Sequence, residues 1–334
     1  MEEFLLGCDW GTSSFRLRLF DINREQVTGQ ITSDEGIAAM HRSWQNLNEP
    51  SNNTTKADFF RRYLEKQVVL LSQESSVDLE YLTIIISGMA SSTIGMLDVP
   101  YANLPFALDG SNAIIKRLHS ADDFPHEIIL ISGARSENDV MRGEETQLIG
   151  LSALLEQSGT RPKDGVFIFP GTHSKHMYIK NGSLINFNTY MTGEVFNIMS
   201  NHSILKDSIQ KDDEKKLSQA DADAFKLGVQ KSKETGILNG LFTVRTNQLF
   251  NKLDKKQNFF YLSGLLIGEE MNYLLRDEAL DIFVCSASNL NDFYKMAIEE
   301  LNLSGRTSTV SADLVDKAAL AGQNEIFQRH ILNK

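Results

Sequence analysis

Two short stretches carry residues whose types and spacing suit phosphate chemistry. The first, C-D-W-G-T-S-S-F-R-L-R-L-F-D (8–21), sets Asp9 at the end of an apolar run, just before the small polar residues Gly11, Thr12, Ser13 and Ser14. Backbone N–H groups and hydroxyls in such a turn are donors for an anion. A carboxylate there works against one: at roughly 4 Å in an effective dielectric near 20, Asp9 would repel a phosphate charge by about 4 kcal/mol. Mg²⁺ held by Asp9 removes the conflict, whereas simple capping of the turn is the plain alternative. The second stretch, G-V-F-I-F-P-G-T-H-S-K-H-M-Y-I-K-N-G (165–182), repeats the pattern, with Gly171, Thr172, His173 and Ser174 standing 160 residues after Gly11, Thr12, Ser13 and Ser14. Because the flanks match as well, a duplicated hairpin is the better reading, and it favours phosphate and metal over a cap.

The elements that must hold these turns follow from hydrophobic pattern. Residues 4–9 are an apolar run and 15–21 alternate strictly, so they form two strands joined by the turn. Y-L-T-I-I-I-S-G (81–88) and H-E-I-I-L-I-S-G (126–133) are β-branched runs ending in Gly, as buried strands do, and 58–73 has helical spacing. In G-E-E-T-Q-L-I-G-L-S-A-L-L-E-Q-S-G (143–159), Leu148, Leu151, Leu154 and Leu155 share one helical face and Gly159 stands at the C-terminal position. The second half offers a charged, solvated helix with its entry loop (211–228) and a long apolar-faced helix (259–280) in which Gly264 and Gly268 permit close approach. A strand, small-residue turn and helix (282–301) and a closing small-residue helix (315–332) follow.

The chain of 334 residues exceeds the usual size of one core, so two domains are expected, 1–160 and 161–334, with the boundary near 157–164. Forty-four acidic against 33 basic residues, a net charge of −11, speak against nucleic-acid binding through a broad basic face. An anionic substrate then needs a local basic pocket or a metal. Two cysteines without a C-x-x-C or a Cys/His cluster indicate neither a disulfide framework nor a zinc site. The acidic start with its short apolar run is no signal peptide, and no apolar stretch reaches membrane-spanning length. A cytoplasmic enzyme or binding protein with no nucleic-acid or membrane partner is expected.

D-W-G-T-S-S-F-R (9–16), S-G-M-A-S-S-T-I-G-M-L-D-V-P-Y (87–101), M-R-G-E-E-T-Q-L-I-G (141–150), P-G-T-H-S-K-H (170–176), M-T-G-E (191–194) and S-G-L-L-I-G (263–268) together resemble the 2-dehydro-3-deoxygalactonokinase family over nearly the whole chain. More broadly they resemble the carbohydrate kinases of the actin-like ATPase superfamily. That resemblance implies an α/β fold of two ribonuclease-H-like lobes with a central nucleotide cleft, and transfer of phosphate from ATP to the 6-hydroxyl of 2-dehydro-3-deoxy-D-galactonate. It makes Asp9 the Mg²⁺ ligand, assigns Gly11, Thr12, Ser13 and Arg16 to the first phosphate motif, and Gly171, Thr172 and His173 to the second. Ser286, Ala287 and Ser288 resemble the adenosine motif, with Cys285 and Ser286 where two glycines are usual, and 318–322 resembles the helix closing the second lobe.

The catalytic base implied is a carboxylate at the start of the helix from 143. Glu144 stands one residue from the superfamily's Asp position, Glu145 is its neighbour, and Asp139 is the next carboxylate; a favourable charge in the first helical turn is the other duty open to these glutamates. Ser91 and Ser92 are candidate donors to sugar hydroxyls, Arg142 or Arg135 a partner for the substrate carboxylate, and His173 and Lys175 partners for phosphate or carboxylate. Glu194 matches the family pattern without an assigned duty. A kinase of the same fold acting on another sugar or aldonate, and an actin-like ATPase switch, are the competing expectations; oligomeric state is left open.

Overall fold

The side chains of Leu5, Leu6, Cys8 and Trp10 are fully buried, which makes β1 (Phe4–Trp10) the centre of a sheet covered on both faces. The structure is a computed structural model that describes residues 3–47, 55–121, 124–159, 164–211, 217–234, 236–276, 280–286 and 290–332. The chain divides into two units: Met1–Pro162 with Asn181–Asn186 and Leu314–Lys334, and Lys163–Lys180 with Phe187–Asp313.

In the first unit, β1 is followed by β2 (Phe15–Asp21), β3 (Gln26–Ser33), α1 (Ile37–Leu47), α2 (Lys56–Glu74) and β4 (Ile84–Gly88). The short strands β5 (Ala102–Asn103) and β6 (Phe106–Ala107) come next, then β7 (Ile115–Leu118), β8 (Ile128–Ile131), β9 (Ala134–Arg135), β10 (Val140–Met141) and α3 (Glu144–Gln157). The main sheet runs β3-β2-β1-β4-β8-β7, and β10-β9-β5 form a small second one. β1 pairs antiparallel with β2, placing Asp9 opposite Arg16, and parallel with β4. A capping box between Thr55 and Asp58 starts α2, whose Phe60, Leu64, Val68 and Leu71 recur at helical spacing and pack with Trp10, Phe15, Leu17 and Leu19.

The second unit repeats this beginning. β11 (Gly165–Phe169) pairs antiparallel with β12 (Ser174–Lys180), as β1 does with β2, and parallel with β14 (Ile282–Cys285), as β1 does with β4. The sheet continues to β15 (Thr307–Val310) on one side, and β13 (Ser183–Tyr190) belongs to this unit only from Phe187 onward. Its helices are α4 (Thr192–His202), α5 (Gln219–Glu234), α6 (Ile237–Leu249), α7 (Lys255–Met271) and α8 (Leu290–Glu300). The expected close approach at Gly264 is against α5, where a Cβ would stand 2.0 Å from the Phe225 carbonyl oxygen.

The C-terminal helix α9 (Ala312–Phe327) departs from expectation. Its sequence resemblance placed it with the second lobe, yet from Leu314 onward it belongs to the first unit. The reason is a glycine crossing. A Cβ on Gly322 would lie 1.9 Å from the Thr146 carbonyl oxygen and one on Gly150 would lie 1.9 Å from that of Ala318, so α3 and α9 meet backbone to backbone. Gln323, buried, donates to the Cys8 carbonyl and to Ser87 Oγ, each at 2.8 Å, tying α9 to β1 and β4.

Candidate active site

The turn after β1 is closed by the Gly11 N–H donating to the Ser14 carbonyl at 2.9 Å. The start of α1 donates back to it, Ile37 N–H to the Gly11 carbonyl and Ala38 N–H to that of Thr12, while the Thr12 and Ser13 side chains stay exposed. With Ser14, Phe15, Arg16, Thr32, Ser33 and Asp34, Asp9 lines a cavity of about 310 Å³. Burial foremost raises the Asp9 carboxyl above the ordinary aspartate value; Arg16 and Arg18 oppose the rise and Glu144 adds to it. Both arginines are held by Asp316 of α9, through 2.9 Å and 2.7 Å ion pairs.

The charge of Glu144 is thus felt at Asp9, and among the described residues no group of three or more His, Cys, Asp and Glu side chains that could hold a metal ion exists. Mg²⁺ fits such a place, since it commonly takes one or two carboxylates and fills its octahedron with phosphate oxygens and water.

α3 begins at Glu144. Gly143 adopts φ 109°, a conformation suited to glycine, and its Cα packs close to Gly88. Glu145 is buried and turned onto its own helix start: its carboxylate accepts the Gly143 N–H at 2.8 and 3.0 Å and the Thr146 hydroxyl at 2.9 Å. Burial first and the neighbouring Glu144 second push the Glu145 carboxyl up to about 8. Glu144 is half-buried and its charge is felt at both Asp9 and Glu145. Asp139 accepts the Val140 N–H in the turn between β9 and β10, and Arg135 is exposed.

A second cavity of about 350 Å³ is lined by Met89, Ser92, Asp98, Tyr101 and Arg142, among others. The Arg142 side chain is only 4% exposed. It lies 4.0 Å over the Tyr101 ring, donates to Ser91 Oγ at 2.9 Å and to the Val99 carbonyl at 2.9 Å, and approaches Asp98 at 3.5 Å. Its Nε is buried with no partner among the described residues. Ser92 turns its hydroxyl to the Met89 carbonyl. Of the substrate candidates Ser91, Ser92, Arg142 and Lys175, the structure brings the first three together and leaves Lys175 in the second unit; Tyr101, whose ring backs the guanidinium, was not singled out from sequence.

In the second unit, the turn Gly171–His173 is held by α4. Glu194 N–H donates to the Thr172 carbonyl at 3.1 Å, and the Glu194 carboxylate pairs with His173 Nε2. A Cβ on Gly193 would lie 2.8 Å from both the Gly171 carbonyl oxygen and the Thr172 Cα. The M-T-G-E motif thereby gains a structural account: Gly lets the helix start against the turn and Glu fixes its histidine. Lys175 is buried and donates to the His173 carbonyl at 3.0 Å. Ser286 is buried at the end of β14, while Ala287 and Ser288 lie outside the described residues. Asp34, Arg18, Asp316 and Glu270 were not singled out from sequence, and Thr192 only as a member of the M-T-G-E motif.

A mixed sheet in each unit, opened by a hairpin with a small polar turn, defines an α/β protein of the actin-like ATPase and sugar-kinase fold, and the motifs it carries make it a carbohydrate kinase. A family model for 2-keto-3-deoxy-galactonokinase matches residues 9–326, and the chain belongs to that family. It is 32% identical over 321 residues, 94% of each chain, to "Probable 2-dehydro-3-deoxygalactonokinase DgoK1" of Rhizobium meliloti (strain 1021). It is 31% identical over 231 residues to the 2-dehydro-3-deoxygalactonokinase of Escherichia coli (strain K12), covering 66% of this chain and 72% of that one. A crystal structure of a Sinorhizobium meliloti protein bearing the same kinase designation superimposes with a TM-score of 0.76 at 28% identity, covering 97% of this chain and 96% of the other. No helix among the described residues is long and apolar enough to cross a membrane.

Proposed function

We propose that this kinase transfers the γ-phosphoryl group of ATP to the 6-hydroxyl of 2-dehydro-3-deoxy-D-galactonate, in the cytoplasm, as a step of galactonate catabolism. The observation that carries the reading is that one sheet of the first unit, in which β1 and β4 pair with Asp9 beside Ser87, carries at the ends of these strands a phosphate-type turn with Asp9 and a cavity lined by Arg142.

In the first unit, Thr12 and Ser13, presented by the turn that Gly11 shapes, and Arg16 orient the phosphates of ATP; in the second, Gly171, Thr172 and His173 offer donors for phosphate. Asp9 holds Mg²⁺, which when bound neutralises charge on the transferring phosphate. Glu144 accepts the proton of the attacking hydroxyl as the O6–P bond forms and the bond from the γ-phosphorus to the leaving oxygen breaks. Glu145 is the weaker candidate because both its oxygens already accept the Gly143 N–H. In the cavity Arg142, the one cationic residue among its described lining, attracts the sugar-acid carboxylate, and Ser92 meets a hydroxyl. Lys175 supports the second turn from below. Ser286 lies against the adenosine.

A coupled assay of ADP release across 2-keto-3-deoxy acids and neutral sugars tests this. Turnover strictly dependent on the galactonate-derived acid is expected. Equal ATP turnover without any sugar acid would show a nucleotide switch instead, and equal turnover with neutral sugars would remove Arg142 from its role.

A further inference from the structure

Glu270 is a carboxylate buried to 2% exposure in α7, and it accepts hydrogen bonds from four side chains. Ser174 Oγ donates to it at 2.7 Å, His176 Nε2 at 2.9 Å, Tyr294 OH at 2.8 Å, and Thr192 Oγ1 closes the set. An isolated buried carboxylate costs several kcal/mol, and a full set of donors is what makes it tolerable. Burial works to raise this carboxyl, but His176, then Thr192 and Ser174, more than offset it and hold it below the ordinary glutamate value.

The donors are not scattered. Ser174 follows His173 directly and so fixes the exit of the second phosphate turn. Thr192 opens α4, whose next two residues touch the same turn through the Gly193 backbone and the Glu194 bonds to Thr172 and His173. Glu270 therefore clamps, from beneath, both segments that shape Gly171–His173. Tyr294 reaches it from α8 and His176 from one residue pair deeper in β12, where its ring packs 4.6 Å from that of Tyr190.

Taking the Gly171–His173 turn to receive phosphate, as proposed above, we propose that Glu270 is the positioning residue of that turn: through Ser174 and Thr192 it sets the geometry in which the turn meets ATP, without touching nucleotide itself. A buried carboxylate serving only to hold α7 in place would affect folding and leave substrate affinities alone. A positioning group acts selectively on the ligand of the element it positions.

The full-length chain is assayed by sugar-acid-dependent ADP release, with melting temperature recorded with and without Mg²⁺-ATP. Glu270→Gln keeps the shape and removes the charge; it is expected to raise KM for ATP about tenfold or more, to shrink the ATP-induced rise in Tm, and to leave KM for the sugar acid within about twofold. Should that variant fail to fold, Thr192→Val and Thr192→Ser decide. Loss of the hydroxyl in Val is expected to raise KM for ATP roughly fivefold, and its return in Ser to restore it. A folded Glu270→Gln, or Thr192→Val where it does not fold, with unchanged KM for ATP overturns the inference alone. Wild-type protein without sugar-acid-dependent turnover overturns the functional reading, and the inference with it.

Discussion

Glu144 and Glu145 are adjacent in sequence and opposite in circumstance. The first is half-buried with its field on Asp9; the second is enclosed and turned onto the Gly143 N–H. Glu144→Gln is expected to lower kcat by about 10²- to 10⁴-fold with little change in KM for ATP, because a general base acts on the reacting proton and not on nucleotide binding. Glu145→Gln should leave most turnover and change the pH dependence of stability. Between the ordinary glutamate value and about 8 the folded chain keeps a proton on Glu145 that the unfolded chain has lost. The stability linked to that proton is fully present below this window, falls across it and levels off above. Melting curves of wild type and Glu145→Gln should therefore show the wild type losing ground to the variant as pH rises through the window. A difference that stays flat would mean Glu145 is ionised throughout, and loss of turnover in Glu145→Gln alone would move the base to Glu145.

At the scale of elements, the α3–α9 crossing depends on having no side chain at two points. Alanine in an open helix is favoured over glycine by about 1 kcal/mol, so Gly322→Ala would stabilise an unpacked α9. Here its Cβ would stand 1.9 Å from the Thr146 carbonyl oxygen, a backbone atom that cannot swing away. A net loss of roughly 2 kcal/mol or more is expected in chemical denaturation, whereas Gly305→Ala, with nothing within 4 Å of its Cβ position, should be nearly neutral. The same crossing marks what sequence made legible. The hairpins at 4–21 and 165–180 could be read because alternation and small polar turns are local signals, and Asp9, Ser91, Arg142 and Glu144 became candidates because each stands in a motif of the resembled family. The small residues of 318–322 announced a close approach, but a helical pattern carries no address, and α9 was referred to the wrong unit. Glu270 stayed hidden for a related reason: its four donors come from segments 24 to 96 residues away, and only packing brings them together.

At the scale of the whole chain, the first unit depends on a segment far from the rest of it in sequence. Leu314–Lys334 supplies Gln323, which caps the Cys8 carbonyl, as well as Asp316, which holds Arg16 and Arg18, and the buried Leu320, Ile326 and Phe327. A chain ending at Asp313 should therefore lose structure in the first unit. The protein reports this by itself, since its two tryptophans, Trp10 and Trp44, both lie there. Trp10 is fully buried, stacks 5.5 Å from Tyr63 and donates to the Glu35 carbonyl at 2.9 Å. Removing buried Leu, Ile and Phe side chains costs about 2–3 kcal/mol each in apolar burial alone, comparable together to the whole stability of an ordinary domain. The truncated chain is expected to show red-shifted tryptophan emission at room temperature, while far-UV circular dichroism keeps a helical component from α4–α8 with its own melting transition. Emission and melting like those of the full chain would mean that α9 is dispensable to the first unit; collapse of all helical signal with the emission shift would mean that the second unit, too, cannot stand without it.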